Sequence, residues 1–159
     1  ARLERLTNPK AFASAPMTDA TRYPLADDYD LSVLVAEDSE VNQFIMRELL
    51  AKWGIEISIA ANGKEALEMF RSLEFDLILM DIQMPEMDGL EATQHIRALQ
   101  IEHEVCPECV IVGLSAHAMS GDRERYMSEG MMDYLTKPVR TEELRAVLEN
   151  CLARKGGEN

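Results

Sequence analysis

Leu77-Ile78-Leu79-Met80-Asp81-Ile82-Gln83-Met84-Pro85-Glu86-Met87-Asp88-Gly89 is an apolar run closed by an acid and followed by a loop rich in turn formers. A short apolar run bounded by turn signals predicts a strand buried on both faces, as in a parallel sheet. The carboxyl end of such a strand is where open α/β sheets place their ligand crevice. An acid belongs there only if it has work to do. Glu37 and Asp38 close a second apolar run, Leu31 to Ala36. If the two strands are parallel neighbours, three carboxylates converge. Converging carboxylates raise one another's pKa unless a cation holds them. A hard dication, Mg2+ with Mn2+ able to substitute, is the simplest occupant, which points to phosphoryl chemistry.

The surrounding pattern alternates strand and helix. Leu31–Ala36 predicts the first strand, and Ser39 caps a helix to about Trp53 with Val41, Phe44, Ile45, Leu49 and Leu50 on one stripe, ended by Gly54. Ile55–Ala60, with Ile55, Ile57 and Ile59 alternating, predicts an edge strand. Asn62-Gly63-Lys64-Glu65 resembles a capping box, opening a helix to Leu73 with Ala66, Phe70 and Leu73 inward. Asp76–Met80 is the central strand, and after Gly89 a helix runs to about Gln100. Val110–Leu114, Ser120–Glu129 (stopped by Gly130) and Met132–Thr136 come next as strand, helix and strand. Thr141 opens a last helix with Leu144, Val147, Leu148 and Cys151 inward.

Five strands alternating with five helices predict an α/β fold, a doubly wound five-stranded parallel sheet of flavodoxin-like (βα)5 type. In the order 2-1-3-4-5 the switch point falls between the first and third strands, whose ends carry Asp38 and Asp81.

The chain has 159 residues and a net charge of −13. Residues 1–30 hold four basic and five acidic groups, so the remainder carries about −12. Nucleic acid is thereby a poor partner, since it demands a basic footprint. No apolar stretch approaches the roughly 20 residues of a membrane helix, so no direct membrane contact is expected. Ala1-Arg2-Leu3-Glu4-Arg5 has no signal-peptide character, and the missing initiator Met suggests a processed chain or a fragment of a longer protein. Residues 1–30, punctuated by Pro9, Pro16 and Pro24, are expected to be a linker with a short helix at Ala1–Leu6, or else to fold back through Phe12, Tyr23 and Tyr29. Cys106, Cys109 and Cys151 form no framework, which fits a reduced, cytoplasmic setting. The Cys106-Pro107-Glu108-Cys109 spacing precedes a strand, unlike a redox motif, and lacks a second ligand pair for zinc.

From Leu31 to about Ala153 the chain resembles a response-regulator receiver domain, most like those of hybrid sensor histidine kinases. The motifs are Glu37-Asp38, Leu79-Met80-Asp81 with Met84-Pro85-Glu86-Met87-Asp88-Gly89, Leu114-Ser115-Ala116 and Thr136-Lys137-Pro138, in order and at successive strand ends. Residues 1–30 and the polar tail 154–159 fall outside it. The resemblance implies that Asp81 accepts a phosphoryl group from phosphohistidine. It implies Mg2+ held by Asp38, Asp81 and the Gln83 carbonyl, with Glu37 acting directly or through water. It implies Lys137 on a phosphoryl oxygen, a cis bond before Pro138, and a switch in which Ser115 turns inward and Tyr134 follows. Ala116 would leave room beside the phosphorus. Gln83 and His117 occupy positions that modulate attack by water, and Asn42 could approach from the first helix.

The partners implied are a histidine kinase domain, plausibly on the same polypeptide, and a histidine phosphotransfer protein docking near Asn42, Phe44 and Ile45. The face built from the fourth helix, fifth strand and fifth helix is where readout or a homodimer is expected. No output domain is expected after the last helix. The alternative is a haloacid-dehalogenase-like phosphatase, which also uses an Asp nucleophile, Mg2+ and Lys. That family needs a second Asp two residues on, where this chain has Gln83. A flavin-binding flavodoxin is disfavoured because Glu37-Asp38-Ser39-Glu40 would repel a phosphate, and a pseudo-receiver because no key residue is missing.

Overall fold

The computed structural model describes residues 29–116 and 119–157. Expectations for the earlier linker, Phe12, Tyr23 and His117 lie outside those residues. Within them, β1 (Val33–Ala36), α1 (Glu40–Ala51), β2 (Ile57–Ala60), α2 (Gly63–Ser72), β3 (Leu77–Asp81), α3 (Gly89–His103), β4 (Val110–Ser115), α4 (Asp122–Ser128), β5 (Asp133–Thr136) and α5 (Thr141–Gly157) alternate along the chain. The sheet is parallel throughout, in the order β2-β1-β3-β4-β5. Most boundaries fall within two residues of those expected, the usual uncertainty of helix and strand ends.

Every residue of β1, β3 and β4 is buried, which explains their continuous apolar runs. Alternate side chains feed two cores. Val33, Val35, Leu77, Leu79, Val112 and Leu114 pack with α1 and α5 residues. Leu34, Ile78, Met80 and Ile111 pack with residues of α2 and α3 on the opposite face. Outermost β2 is buried only at its two ends, Ile57 and Ala60, as an edge strand with one uncovered side allows.

Two inward assignments are corrected. In α1, Val41 is 68% exposed and Phe44 and Ile45 are also exposed, while Met46 and Leu50 are buried. The helix carries apolar residues on two faces, and polar bonds in its first turn choose between them. Asn42 Nδ2 and Gln43 Nε2 both donate to Glu37, so their side of the helix faces the sheet. In α2, Ala66, Leu67 and Phe70 are buried, but Leu73 is 49% exposed. The helix ends at Ser72, and Leu73 turns to an extended conformation that swings it off the stripe.

The predicted caps form. Ser39 Oγ accepts from the Asn42 N–H at 3.3 Å, and Asn62 Oδ1 accepts from the Glu65 N–H at 2.9 Å. Glu65 Oε1 reaches back to the Ala61 N–H, one residue before the reciprocal position of a strict capping box.

At the amino-terminal edge of the sheet, Tyr29 is buried and stacked on Trp53, with ring centroids 6.0 Å apart. Its hydroxyl donates to Glu149 Oε2 at 3.0 Å. Lys155 Nζ donates to the Asp30 carbonyl and to Asp76 Oδ2 at 2.8 and 3.1 Å. The chain thus enters the sheet pinned to α5, and Tyr29 packs as part of the core between α1 and α5. Cys109 belongs to the core beside α3, and burial pushes its thiol well above the ordinary range. Gln100 Nε2 bridges the carbonyls of Cys106 and Cys109, 2.9 Å from each, and this bond organises the loop before β4.

Candidate functional site

The crest of the sheet is assembled by register. Ala36, the last residue of β1, pairs with Met80, which places Glu37 beside Asp81 across the switch point. The turn after β3 is held shut by the Gly89 N–H on the Ile82 carbonyl at 2.9 Å. A Cβ at Gly89 would stand 2.1 Å from the Asp81 carbonyl oxygen, so only glycine lets the loop pass this close. Gly89 thereby lets the loop close over the end of β3.

Asp81 and Glu37 are both buried, Glu37 with only 1% of its surface exposed. Lys137 Nζ lies between them, 3.0 Å from Asp81 Oδ2 and 3.1 Å from Glu37 Oε1. Asp81 Oδ1 accepts the Gln83 N–H at 3.2 Å. Glu37 Oε2 accepts the Ser39 N–H and Asn42 Nδ2, at 3.1 and 3.3 Å. Lys137 is aimed by its own backbone: its N–H donates to the Ser115 carbonyl at 2.8 Å, and the bond to Pro138 is cis, as expected. Asp38 is exposed, at the open mouth.

Burial pushes the Asp81 carboxyl up to about 6, against the pull of Lys137, and Glu37 adds to the rise. Burial alone would lower the Lys137 ammonium, but hydrogen bonding and attraction to Asp81 and then Glu37 raise it overall. The crest therefore holds an acid that ionises reluctantly next to a firmly cationic lysine, a pairing typical of working sites.

Carboxylate oxygens of Glu37, Asp38 and Asp81 all lie within 4.8 Å of one another. An all-oxygen donor set open to water on the Asp38 side suits Mg2+, which binds through few carboxylates and retains several waters. Glu37 is engaged by Lys137, Ser39 and Asn42, while Asp38 is exposed beside it. The Gln83 side chain is exposed at the mouth.

Ser115 ends β4, one residue past the Leu114 that pairs with Asp81. Its Oγ lies 3.4 Å from the hydroxyl of Tyr126 on α4. Tyr126 was not anticipated: in Arg123-Glu124-Arg125-Tyr126 it reads as an ordinary helix residue, with no local signal that its tip reaches β4. Tyr134 on β5 is half-buried, its ring 5.2 Å from that of Tyr126 and nearly perpendicular to it. Ala116 is exposed directly after Ser115. The structure thus brings Glu37, Asp38, Asp81, Asn42 and Lys137 into one constellation, with Ser115 and Tyr134 linked to Tyr126 beside it.

The structure is thus a doubly wound 2-1-3-4-5 sheet with an acid triad and a lysine at its switch point. Residues 33–149 match the family model of the response regulator receiver domain, and the chain belongs to that family. It is 42% identical over 132 residues to hybrid signal transduction histidine kinase I of Dictyostelium discoideum, covering 80% of this chain and 8% of that protein. It is 37% identical over 119 residues to the aerobic respiration control sensor protein ArcB of Escherichia coli, covering 75% of this chain and 15% of that one. The chain therefore spans a small fraction of the length of these relatives. Among solved structures, it resembles the receiver domain of a Pseudomonas aeruginosa sensor histidine kinase that has a magnesium ion coordinated in its active-site cleft. That match has 35% identity and a TM-score of 0.69, covering 77% of this chain and 98% of the other. It also resembles a chain in the Saccharomyces cerevisiae co-crystal structure of the histidine phosphotransfer protein Ypd1 and the receiver domain of its downstream response regulator Ssk1. That match has 30% identity and a TM-score of 0.74, covering 79% of this chain and 90% of the other.

Proposed function

We propose that this chain is the phospho-accepting module of a phosphorelay, with Asp81 as the acceptor. The observation that carries the proposal is Lys137 Nζ held between Asp81 and Glu37, with Asp38 completing an acid cluster at the switch point. A carboxylate oxygen of Asp81 attacks the phosphorus of a phosphohistidine. The O–P bond forms, the P–N bond breaks, and its electron pair stays on the imidazole nitrogen, which takes a proton from solvent. The transition state is loose, so positioning and charge neutralisation do most of the work. Asp38, Asp81 and the Gln83 carbonyl would hold Mg2+, which when bound supplies charge neutralisation across the carboxylates and phosphoryl oxygens. Lys137 reaches a phosphoryl oxygen once Asp81 is esterified, exchanging one anionic partner for another. Ala116 leaves the phosphorus side open, and Gln83 and His117, two residues after Asp81 and Ser115 respectively in sequence, are the positions that modulate attack by water. Ser115 then turns to a phosphoryl oxygen, with Tyr134 following, as the switch.

The donor is a histidine kinase domain, on the same polypeptide or another, and the recipient is a histidine phosphotransfer protein. Support for the docking place comes from Val41, Phe44 and Ile45, an exposed apolar group on α1, whose first turn carries the Asn42 bond to Glu37. No described helix is long and apolar enough to cross a membrane, and a cytoplasmic site of action is proposed from the chemistry of the partners.

Incubation with phosphoramidate and Mg2+, followed by intact mass analysis, tests the proposal. One added phosphoryl group on the wild type and none on Asp81→Asn is expected. Continuous release of phosphate from many phosphomonoesters without a phosphorylated protein would favour the phosphatase alternative.

A further inference from the structure

The contact between Ser115 and Tyr126 belongs to neither the acid cluster nor the Lys137 bridge. Both side chains are buried, each about 4% exposed, and their hydroxyls stand 3.4 Å apart. Tyr126 comes from α4, while Ser115 ends β4, so this bond ties the crest to a helix on the flank. The Tyr126 ring is fixed on two sides. Its edge contact with Tyr134 has centroids 5.2 Å apart at 80°, and the Arg125 guanidinium lies 5.8 Å from its centroid.

We propose that Tyr126 is a resting-state latch, a positioning residue whose hydroxyl holds that of Ser115 away from the acceptor and so sets how readily phosphorylation flips the switch. The proposal rests on the phospho-accepting function above and adds its regulation. When Ser115 Oγ turns to a phosphoryl oxygen, the bond to Tyr126 is lost and a buried phenol must find another partner. That cost opposes the active state. The same ring meets Tyr134 edge-on, so Tyr126 touches both members of the switch. Tyr126 couples the two halves of the switch, and α4 moves with it.

A net hydrogen bond of ordinary strength corresponds to about 2- to 10-fold in an equilibrium constant. The test uses the full 159-residue chain. Beryllium fluoride with Mg2+ serves as the phosphoryl mimic, with phosphoramidate-driven phosphorylation followed in parallel. Tyr126→Phe, which removes one oxygen, is expected to bind the mimic about 2- to 10-fold more tightly and to accumulate more phosphoprotein. In a Ser115→Ala background the same substitution is expected to change nothing, an outcome that mere loosening of the core would not produce. Tyr126→Leu, a second variant without the hydroxyl, is expected to shift binding in the same direction. Unchanged or weaker binding by Tyr126→Phe, or an equal gain with and without Ser115, overturns the latch while leaving phospho-acceptance intact. A wild type that neither binds the mimic nor gains a phosphoryl group overturns both.

Discussion

Replacing Asp81 with asparagine is expected to stabilise the metal-free chain at neutral pH and to leave it the less stable protein once Mg2+ is supplied. The Asp81 carboxyl is raised from 3.8 to about 6, first by burial and then by Glu37, despite Lys137 and the Gln83 N–H. A raised acid binds its proton more tightly in the folded chain than in the unfolded one. Stability therefore falls as pH climbs from about 4 to about 6, and the deficit is complete above that window. The rise corresponds to a ceiling of about 3 kcal/mol. Solvent at the open mouth of the site reduces this to about 1–2 kcal/mol. Asparagine keeps the shape and has no charge to desolvate, so it recovers that amount at pH 7.5 and nothing at pH 4. For a domain of this size each kcal/mol is about 3–5 °C in Tm. Mg2+ at a hundred times its Kd returns about 2.7 kcal/mol to a binding protein, more than the advantage asparagine recovers. The wild type gains this and Asp81→Asn does not. Thermal melts at pH 4, 5, 6 and 7.5, with EDTA or with Mg2+, measure all four corners. A metal-free Asp81→Asn that is less stable at pH 7.5, or whose advantage persists unchanged to pH 4, would refute the picture of a buried, repelled carboxylate.

Lys137→Ala is expected to tighten Mg2+ binding several-fold by calorimetry, because it removes a cation bridging Glu37 and Asp81, while slowing phosphorylation from phosphoramidate. Gly89→Ala is expected to cost about 2–3 kcal/mol in urea denaturation, since the new Cβ meets backbone that cannot move aside. Tyr29→Ala is expected to cost about 3 kcal/mol by the same measurement, through loss of its stacking on Trp53 and its bond to Glu149. Mg2+ affinity is expected to fall as pH drops through about 6, with protons released on binding, because Asp81 must ionise to act as a ligand. Calorimetry in buffers of different ionisation enthalpy detects that release.

Periodicity and turn chemistry carried most of the fold. Continuous apolar runs marked β1, β3 and β4 because those strands are buried on both faces, and the interrupted run of β2 marked an edge. The acids were visible because charge at the end of a buried run is anomalous. Local pattern left open which face of a helix packs. Val41, Phe44 and Ile45 look as apolar as Met46 and Leu50, and only the long-range bonds from Asn42 and Gln43 to Glu37 orient α1. The Ser115–Tyr126 contact spans β4 and α4 and leaves no periodic trace. The pinning of Tyr29 and Lys155 across the amino-terminal edge is likewise a tertiary event between distant parts of the chain.

Chemical trapping of the phosphorylated residue most directly separates an aspartyl depot from every other arrangement. After treatment with phosphoramidate and Mg2+, borohydride reduces an acyl phosphate to the alcohol, and peptide mapping locates it. Conversion at Asp81 alone, abolished by EDTA, is the expected result. An acid-stable phosphate on Ser115, or label retained on a histidine with Asp81 untouched, would contradict it.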